Sequence, residues 1–232
     1  MMDPREPFQR RLQKLKIERE SYIQHWREIN EYVLPRRGRF LGQAKNRTNA
    51  GYKQNEKIID GEATRALNTL VSGMMSGVTS PARKWFRLAT PDRELMEFGA
   101  VKQWLSIVED TMYQVFSESN FYQVIPYVYE EMAVYGTGAM MQINDFDNVV
   151  RFQAFSAGEY MIAQGADYNV NALYRECMMT VEQVVEMFGL DNCSQAVKDR
   201  WNKGDYDTWI ETVHAIEPNS LTGGEYYGDN VI

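Results

Sequence analysis

Histidine and cysteine, the side chains that most often carry catalysis or metal binding, are few and dispersed in this sequence. It has two of each. His25 falls in a predicted helix and His214 in a predicted strand, and neither has partner ligands at a metal-binding spacing. Cys177 is predicted to lie in a buried strand and Cys193 to be exposed, and a nucleophilic thiol would need a histidine nearby. The sequence therefore predicts no metal site, no cofactor and no catalytic site.

Carboxylate pairs and a glycine-rich segment offer no clearer chemistry. Glu130 and Glu131 are adjacent in a predicted helix, so they point to different faces and cannot share a proton. Gly136-Thr137-Gly138 looks like a phosphate loop but follows a helix and lacks the GK[ST] ending. It is predicted to be a hinge between a helix and a strand. An enzyme that uses Glu130 or Cys193 stays open as an alternative without motif support, and the expectation is a protein that is not an enzyme.

Composition places the chain among folded proteins. Its 232 residues are 44% hydrophobic and 12% aromatic, which is too apolar for a disordered chain, and they suffice for one large domain or two small ones. The net charge of −7 argues against a protein that coats nucleic acid. Two cysteines fit a reducing compartment. The longest charge-free run, 66–82, is too polar to span a membrane. We therefore expect a soluble protein that is cytoplasmic at synthesis.

One tract, Arg36 to Lys57, is strongly basic. It carries +6, against −13 for the rest of the chain, and its glycines and asparagines predict a long loop. The functional interpretation is contact with DNA phosphates or an acidic partner, with Phe40 and Tyr52 available for stacking. The alternative is a solvated surface loop, and in either case trypsin should cut here first. The basic residues proposed for contact are Arg36, Arg37, Arg39, Lys45, Arg47 and Lys53.

The first half of the chain is predicted to be helical. An apolar stripe, interrupted by Arg19, predicts a long helix from Phe8 to Leu34 that Pro35 ends. A second helix follows from Ile58, with Asp60 as its N-cap. Two more helices follow, with a break at Ser119-Asn120. The apolar positions that define the stripes of the first, third and fourth helices are Phe8, Leu12, Leu15, Tyr22, Trp26, Ile29 and Val33; Val101, Trp104, Leu105, Val108, Met112, Val115 and Phe116; and Phe121, Val124, Ile125, Val128, Met132 and Tyr135.

The second half reads as an antiparallel sheet with short helices. Apolar segments separated by turn residues predict strands at 139–143, 149–155, 160–163, 171–179 and 208–216. Thr180 is predicted to cap a helix that stops at Gly189, and Ser194 to start a last short one. Helices followed by antiparallel strands make the fold class α+β. Three segments, 1–57, 58–138 and 139–232, are expected to form one structural unit.

The segment Thr69–Leu88, TLVSGMMSGVTSPARKWFRL, stands out. Ser72 and Ser76, and beside them Gly73 and Gly77, recur one helical turn apart, which predicts a smooth stripe that another backbone can approach closely. Each glycine inside the helix costs about 1 kcal/mol against alanine, so close packing is expected to compensate. Thr79-Ser80-Pro81 should end the helix, and Arg83–Leu88 is predicted to be a short aromatic strand.

This segment resembles the head-to-tail connector, or portal, proteins of short-tailed bacteriophages. Tyr129–Met141 is similar to a helix-then-strand segment of that family. Phe155–Gly189 resembles a stretch in which a hairpin leads through a Tyr-Arg-Glu strand into a Thr-capped helix. The opening helix and Val213-His214 also fit. Because several motifs occur in the family's order, the chain is identified by resemblance as the N-terminal part of such a protein.

The resemblance implies a structural role. Portal proteins form a homo-oligomeric, usually dodecameric, ring at one capsid vertex, through which terminase drives double-stranded DNA and to which the tail attaches. The implied partners are therefore the chain itself, terminase, scaffold, major capsid and tail adaptor proteins, and DNA, with no membrane. The implied location is the virion, and the bacterial host cytoplasm during assembly. Family members are much longer, so this chain would hold the wing-like region, with stem, clip and crown expected after residue 232.

The resemblance also implies where packing or subunit contacts lie. The positions are Gly73, Gly77, Pro81, Arg83, Trp85, Phe86, Tyr135, Gly136 and Gly138. The basic tract would meet scaffold, capsid protein or DNA. The alternative function is a non-enzymatic nucleic-acid-binding adaptor built around residues 36–57.

Overall fold

The α+β fold class is confirmed in the computed structural model, which describes residues 6–35 and 58–218. The elements in chain order are α1 Glu6–Tyr32, α2 Glu62–Gly77, α3 Arg93–Glu97, α4 Gly99–Glu118, α5 Phe121–Tyr135, β1 Ala139–Asp145, β2 Val149–Phe155, β3 Tyr160–Gln164, β4 Val170–Thr180, α6 Val181–Phe188, a 3-10 turn Leu190–Asn192, α7 Gln195–Asn202 and β5 Trp209–Ile216. The predicted basic loop, Arg36 to Lys57, lies outside the described residues.

The chain forms two compact units. The helical unit is Trp26–Ala157, and the sheet unit combines Met1–His25 with Gly158–Ile232. The sheet unit is therefore discontinuous in sequence, a grouping that differs from the three consecutive segments expected above. Helix α1 contributes residues to both units.

The predicted long helix is confirmed, and its buried face differs from the predicted stripe at one position. Leu12, Leu15 and Ile23 are buried, whereas Tyr22 is 61% exposed, so its predicted place in the stripe is wrong. Arg19 follows Leu15 on the buried side, where its guanidinium bonds to backbone carbonyls of the sheet unit. Its aliphatic stem lets it share an apolar face while its charged end finds polar partners.

Helices α2, α4 and α5 form the predicted helical layer of the helical unit. Leu67 and Val71 of α2 and Ile125 and Val128 of α5 share one hydrophobic cluster. Helix α2 begins at Glu62, later than predicted, although the Asp60 carboxylate accepts the Glu62 N–H at 3.1 Å as a local cap.

The predicted stripe of α4 is wrong at two positions. Trp104 is 62% exposed and Met112 is 36% exposed, while Glu109 and Tyr113 occupy the inner face. Polar atoms of these two side chains accept hydrogen bonds from backbone N–H groups of Trp85 and Leu88. An apolar periodicity cannot register inward-facing polar side chains, which explains the error.

The strands were predicted well. β1 and β2 pair as an antiparallel hairpin from Ala139↔Phe155 to Asp145↔Val149. β3, β4 and β5 form a second antiparallel sheet in that order. One side of this sheet packs on α1, through the buried Leu12, Leu15, Met161 and Tyr174.

The predicted ends of α6 are confirmed. Thr180 and Gln183 exchange side-chain and backbone hydrogen bonds as a capping box, and Gly189 follows the last turn. The buried residues that join α6 to α7 are Val181, Val184, Cys193 and Val197.

The predicted strand Arg83–Leu88 is wrong. The segment has no regular secondary structure and belongs to neither sheet of the described chain. The N–H groups of Trp85 and Phe86 instead donate to the hydroxyl oxygen of Tyr113, at 2.6 and 2.7 Å. A side chain thus supplies the partner that a neighbouring strand would have supplied.

Candidate functional site

The exposed face of α2 is the first part of the candidate contact surface. Ser72, Gly73, Ser76 and Gly77 all lie on the exposed side. A Cβ added at either glycine would meet no atom within 4 Å. The close packing predicted for this stripe is therefore not formed within the described chain, and its use as a subunit contact stays a prediction.

Hydroxyl groups on this face turn back onto their own helix. Thr69 donates to the Arg65 carbonyl at 3.0 Å, Ser72 to Asn68 at 2.7 Å, and Ser76 to Gly73 at 3.1 Å. A serine or threonine hydroxyl has a single proton to donate, so these bonds use it. The exposed surface between Ala66 and Val78 therefore has small side chains and no charge.

Arg83 closes the C-terminal end of α2. Its Nη2 donates to the carbonyl oxygens of Ser76 and Gly77, at 2.8 and 2.9 Å. The last carbonyls of a helix lack intrahelical donors and carry partial negative charge, so a cation here supplies hydrogen bonds and offsets the helix dipole. Pro81 lies in the exposed turn between these two parts. Behind the turn, the buried Thr79 hydroxyl is 2.9 Å from that of Tyr129.

Trp85 lies at the centre of an aromatic cluster. Its ring stacks on Phe121 and Phe116, with centroids 5.9 and 6.1 Å apart, and Phe86 meets it edge-on at 4.8 Å. Its indole N–H donates to the Tyr122 hydroxyl at 3.2 Å. Aromatic pairs in these geometries each add about 0.5–1.5 kcal/mol beyond the area they bury. The predicted packing residues Trp85 and Phe86 thus anchor the segment after α2 to α4 and α5.

Polar groups of α4 fix the same segment. Tyr113 donates to the Phe86 carbonyl at 2.9 Å in addition to accepting the two N–H groups, and its ring stacks on that of Phe86 at 4.4 Å. Lys84 lies 2.5 Å from Asp110 and 3.1 Å from Glu109. Hydrogen bonds to Asp110 and then Glu109 raise the pKa of the Lys84 ammonium group, so it stays charged. These contacts position the backbone of residues 84–88, and they do not pair a nucleophile with a general base.

The helix-to-strand hinge was predicted correctly. Gly136 ends α5 in the left-handed region at φ 73°, and its N–H donates to Met132. A Cβ at Gly138 would lie 2.8 Å from Met132 Cγ and 3.1 Å from the Val128 carbonyl, so only glycine fits without displacement. Tyr135, also predicted, is buried and donates to Asn30 at 3.0 Å.

Two side chains close strand edges through long-range contacts that no local sequence pattern predicts. The Asn120 amide donates to the carbonyl of Phe152 and accepts its N–H, both at 2.8 Å. In an antiparallel pair, the backbone N–H and C=O groups of alternate residues point away from the partner strand. Asn120 therefore occupies the outer edge of β2. Arg19 likewise donates to the carbonyls of Gly158 and Tyr160, at 2.8 and 3.0 Å.

Arg19 holds the outer edge of β3 in the sheet unit. Glu176 donates its N–H to Glu159, which directs the groups of Glu159 toward β4 and those of Gly158 and Tyr160 outward. Burial lowers the pKa of the Arg19 guanidinium, although the carboxylates of Glu176 and Glu20 act against that shift. Arginine remains charged in proteins, so this edge is held by a cation.

Glu131 is a further buried polar residue that pattern analysis missed. Its side chain is 1% exposed, and Oε2 accepts the Ala157 N–H at 2.7 Å. The adjacent-pair argument correctly separated Glu130 from Glu131. It could not foresee that one of them would support the chain after β2.

The predicted chemistry-bearing residues do not converge. Among the described residues there is no group of three His, Cys, Asp or Glu side chains that could hold a metal ion. Cys193 is buried, so its predicted exposure is wrong; its thiol donates to the Gly189 carbonyl, and burial raises the pKa of the thiol. Cys177 is half-buried in β4, with its sulfur 3.0 Å from the Thr212 hydroxyl.

Two expectations concern DNA and membranes. The basic residues Arg36 to Lys53 lie outside the described part of the chain, so their contacts stay a prediction. Within the described ranges, every helix is too short or too polar to cross a bilayer.

Comparison with known proteins connects the chain to a family. The family described as "Bacteriophage head to tail connecting protein" matches residues 5–225. The chain is 46% identical over 207 residues to a "Probable portal protein" of Bordetella phage BPP-1, covering 89% of this chain. It is 43% identical over 215 residues to a "Portal protein" of Salmonella phage epsilon15, covering 93%. The chain therefore belongs to the bacteriophage head-to-tail connecting protein family.

The match covers only part of each relative. It spans 37% of the Bordetella phage protein and 38% of the Salmonella phage protein. The positions predicted from the resemblance, from Gly73 to Gly138, lie within the matched range.

Proposed function

We propose that this chain is the wing-like part of a phage portal subunit, a structural component of the vertex that joins head and tail. The match to two relatives named portal proteins, over nearly the whole chain, carries the proposal. In this role the protein forms a homo-oligomeric ring through which DNA is packaged and ejected. It does no chemistry of its own, and its place is the virion.

The described geometry suits a structural role. Hydrogen bonds of Tyr113, Arg83 and Asn120 go to backbone atoms of the chain itself, and none of these side chains is arranged around a substrate-sized site. The uncharged exposed face of α2 is the surface we assign to the neighbouring subunit. Small side chains allow two helices to approach closely, and no charge has to be desolvated.

The partners follow from the same role. We assign terminase, scaffold, major capsid and tail adaptor proteins to the ring, and double-stranded DNA to its channel. The acidic balance of the chain, −7 overall, suits a wall past which DNA must move, since strong phosphate contacts would hold it in place. The basic tract, Arg36 to Lys57, is assigned to scaffold, capsid protein or DNA at the ring surface.

Assembly tests this function. The 232 residues alone should be monomeric or weakly self-associating at micromolar concentration. A chimera that joins them to the remaining C-terminal part of the epsilon15 portal protein should form closed rings. Light scattering gives the mass, and electron microscopy confirms closure. A chimera that stays a monodisperse monomer, where the intact epsilon15 protein forms rings, would contradict the proposal.

The adaptor alternative has its own test. Salt-dependent DNA binding by the isolated chain, abolished when Arg36, Arg37 and Arg39 are replaced by alanine, would favour it. Under the portal proposal those three substitutions leave ring formation by the chimera intact.

A further inference from the structure

The tip of the β1–β2 hairpin presents apolar side chains to solvent. Phe146 is fully exposed, and Val149 and Ile143 are 62% and 39% exposed. Ile143 and Val149 share one side of the hairpin, because Ile143 pairs with Arg151 and Asp145 with Val149. Single exposed apolar residues are ordinary, but three at one hairpin end form a patch suited to a protein contact.

Hydrogen bonds of Asp145 brace this tip. Asp145 accepts the Asp147 N–H at 3.0 Å and bonds to Nε and Nη2 of Arg151 at 3.1 and 2.9 Å. Val149 has φ 68°, a left-handed conformation that is rare for a β-branched residue. A tip fixed in advance loses little conformational freedom on binding.

The same unit contains an apolar cleft. It has a volume of about 470 Å³ and lies between α5 and the outer edge of β2. Val124, Tyr127 and Ala154 provide its apolar walls over Phe152 and Phe155, and Gln153 lies at its margin. A cavity of about 150 Å³ already accommodates a benzene ring, so the cleft has room for a phenylalanine side chain.

The hairpin tip cannot fill the cleft of its own chain. Val149 and Ala154 lie on one strand, five residues and about 17 Å apart. The tip and the cleft are therefore two different surfaces of one subunit, which is the requirement for a head-to-tail contact that closes into a ring. Asp147, next to Phe146, has a carboxylate that can accept a hydrogen bond from the amide of Gln153 at the cleft margin of a second copy.

We propose that Phe146 of one copy inserts into the cleft between α5 and β2 of the next copy. This contact rests on the proposed ring and names one of its subunit interfaces. It buries the most exposed aromatic side chain of the hairpin against Tyr127 and Val124 of the neighbour.

Disulfide trapping tests the contact directly. A chain with Asp147→Cys is mixed with a size-tagged chain with Gln153→Cys and oxidised, in the chimera that forms rings. A mixed disulfide dimer is expected, since the two Cα atoms must come within about 7 Å to be bridged. The matched control replaces Asp147→Cys by Tyr168→Cys, which changes an 85% exposed residue of the β3–β4 turn. The parent chain controls for the native thiols. Equal trapping by the control, or no mixed dimer, overturns the proposal.

Substitution gives a second, independent readout. Phe146→Ser should weaken ring formation at least about tenfold in concentration, as expected for an aromatic anchor in a pocket, without lowering the unfolding midpoint. Tyr168→Ser should change neither. Rings that form normally with Phe146→Ser refute the contact while the portal function stands. A parent chimera that forms no rings refutes the portal function instead.

Discussion

The helical unit and the sheet unit close a strand edge by different chemistry. In the helical unit a neutral amide, Asn120, gives Phe152 one donor and one acceptor. In the sheet unit a cation, Arg19, gives two donors to the carbonyls of Gly158 and Tyr160. An open edge invites pairing with another chain, so both devices protect the monomer. Both units therefore cover an open strand edge with a side chain, which is neutral in the helical unit and positively charged in the sheet unit.

The cores differ in the same direction. Stacked aromatic rings around Trp85 fill the helical unit. The sheet unit contains smaller apolar clusters and ion pairs, among them Arg175–Glu159 at 2.5 Å and the pair of Lys16 with Glu176. Ion pairs also occur in the helical unit, where Lys84 contacts Asp110 and Arg151 contacts Asp145. Between pH 7 and 5 we expect the pH dependence of stability to come from the sheet unit, because burial lowers the pKa of its His214.

The largest expected effect is loss of the aromatic core. Trp85→Ala should lower the free energy of unfolding by about 3 kcal/mol, because it removes the ring that stacks on Phe116 and Phe121 and the hydrogen bond to Tyr122. Urea unfolding measures it. Trp104→Ala is the matched control: this indole is 62% exposed, so the change should stay within about 0.5 kcal/mol. Equal losses for the two variants would mean that Trp85 does not carry the core.

The edge-closing side chains should come next. Arg19→Met keeps an apolar stem but leaves two carbonyls without donors, and should cost about 2 kcal/mol in urea unfolding. Arg19→Lys should restore little, because a point charge on a flexible stem does not replace the guanidinium fork.

Asn120→Ala should cost a similar amount, about 1–3 kcal/mol. Asn120→Asp keeps an acceptor for the Phe152 N–H but sets a carboxylate oxygen against the Phe152 carbonyl. It should therefore be at least as destabilising as Asn120→Ala at pH 7. Full stability in Asn120→Asp would show that the amide donor does not matter.

Two glycines of the helical unit should respond with opposite signs. Gly138→Ala forces a Cβ against Met132 and the Val128 carbonyl and should cost about 1–2 kcal/mol. Gly73→Ala has open space and a helical backbone, so it should stabilise the isolated chain by up to about 1 kcal/mol. Thermal unfolding compares them. A destabilising Gly73→Ala would contradict the exposed position of this face.

The smallest effect concerns pH. Burial, and then the charge of Arg175 opposite in β4, lower the pKa of His214 below its ordinary value of 6.5. The unfolded chain therefore binds this proton more readily than the folded one, and stability should fall as pH drops below 6.5. Asp145 and Asp167, with pKa values lowered from 3.8, act only in more acid solution. His214→Gln should reduce the change in the free energy of unfolding between pH 7 and 5, as measured by urea unfolding. His25 is exposed, so His25→Gln should not reduce it.

Local sequence signals predicted those elements whose partners are close along the chain. The capping box Thr180 to Gln183 and the hairpin turn after Asp145 are of this kind. The strand predicted around Trp85 was wrong because an alternation of aromatic and charged residues favours a strand. The actual partner of the Trp85 backbone is the Tyr113 side chain, 28 residues away. The predicted exposure of Cys193 was wrong because its polar neighbours in sequence do not show that it packs with Val181 and Val197. Long-range side-chain bonds such as those of Asn120 and Arg19 leave no periodic signature.

The division of α1 between two units has a consequence for biosynthesis. The chain emerges from the ribosome N-terminus first, and the helical unit, Trp26–Ala157, is complete before any strand of the second sheet exists. Leu12 and Leu15 must wait for Met161 and Tyr174, about 150 residues later for Leu12 and Met161. During that interval the first turns of α1 expose their apolar side to solvent. Nascent chains are thus vulnerable to premature association at α1, and the later synthesis of β3 and β4 removes that hazard.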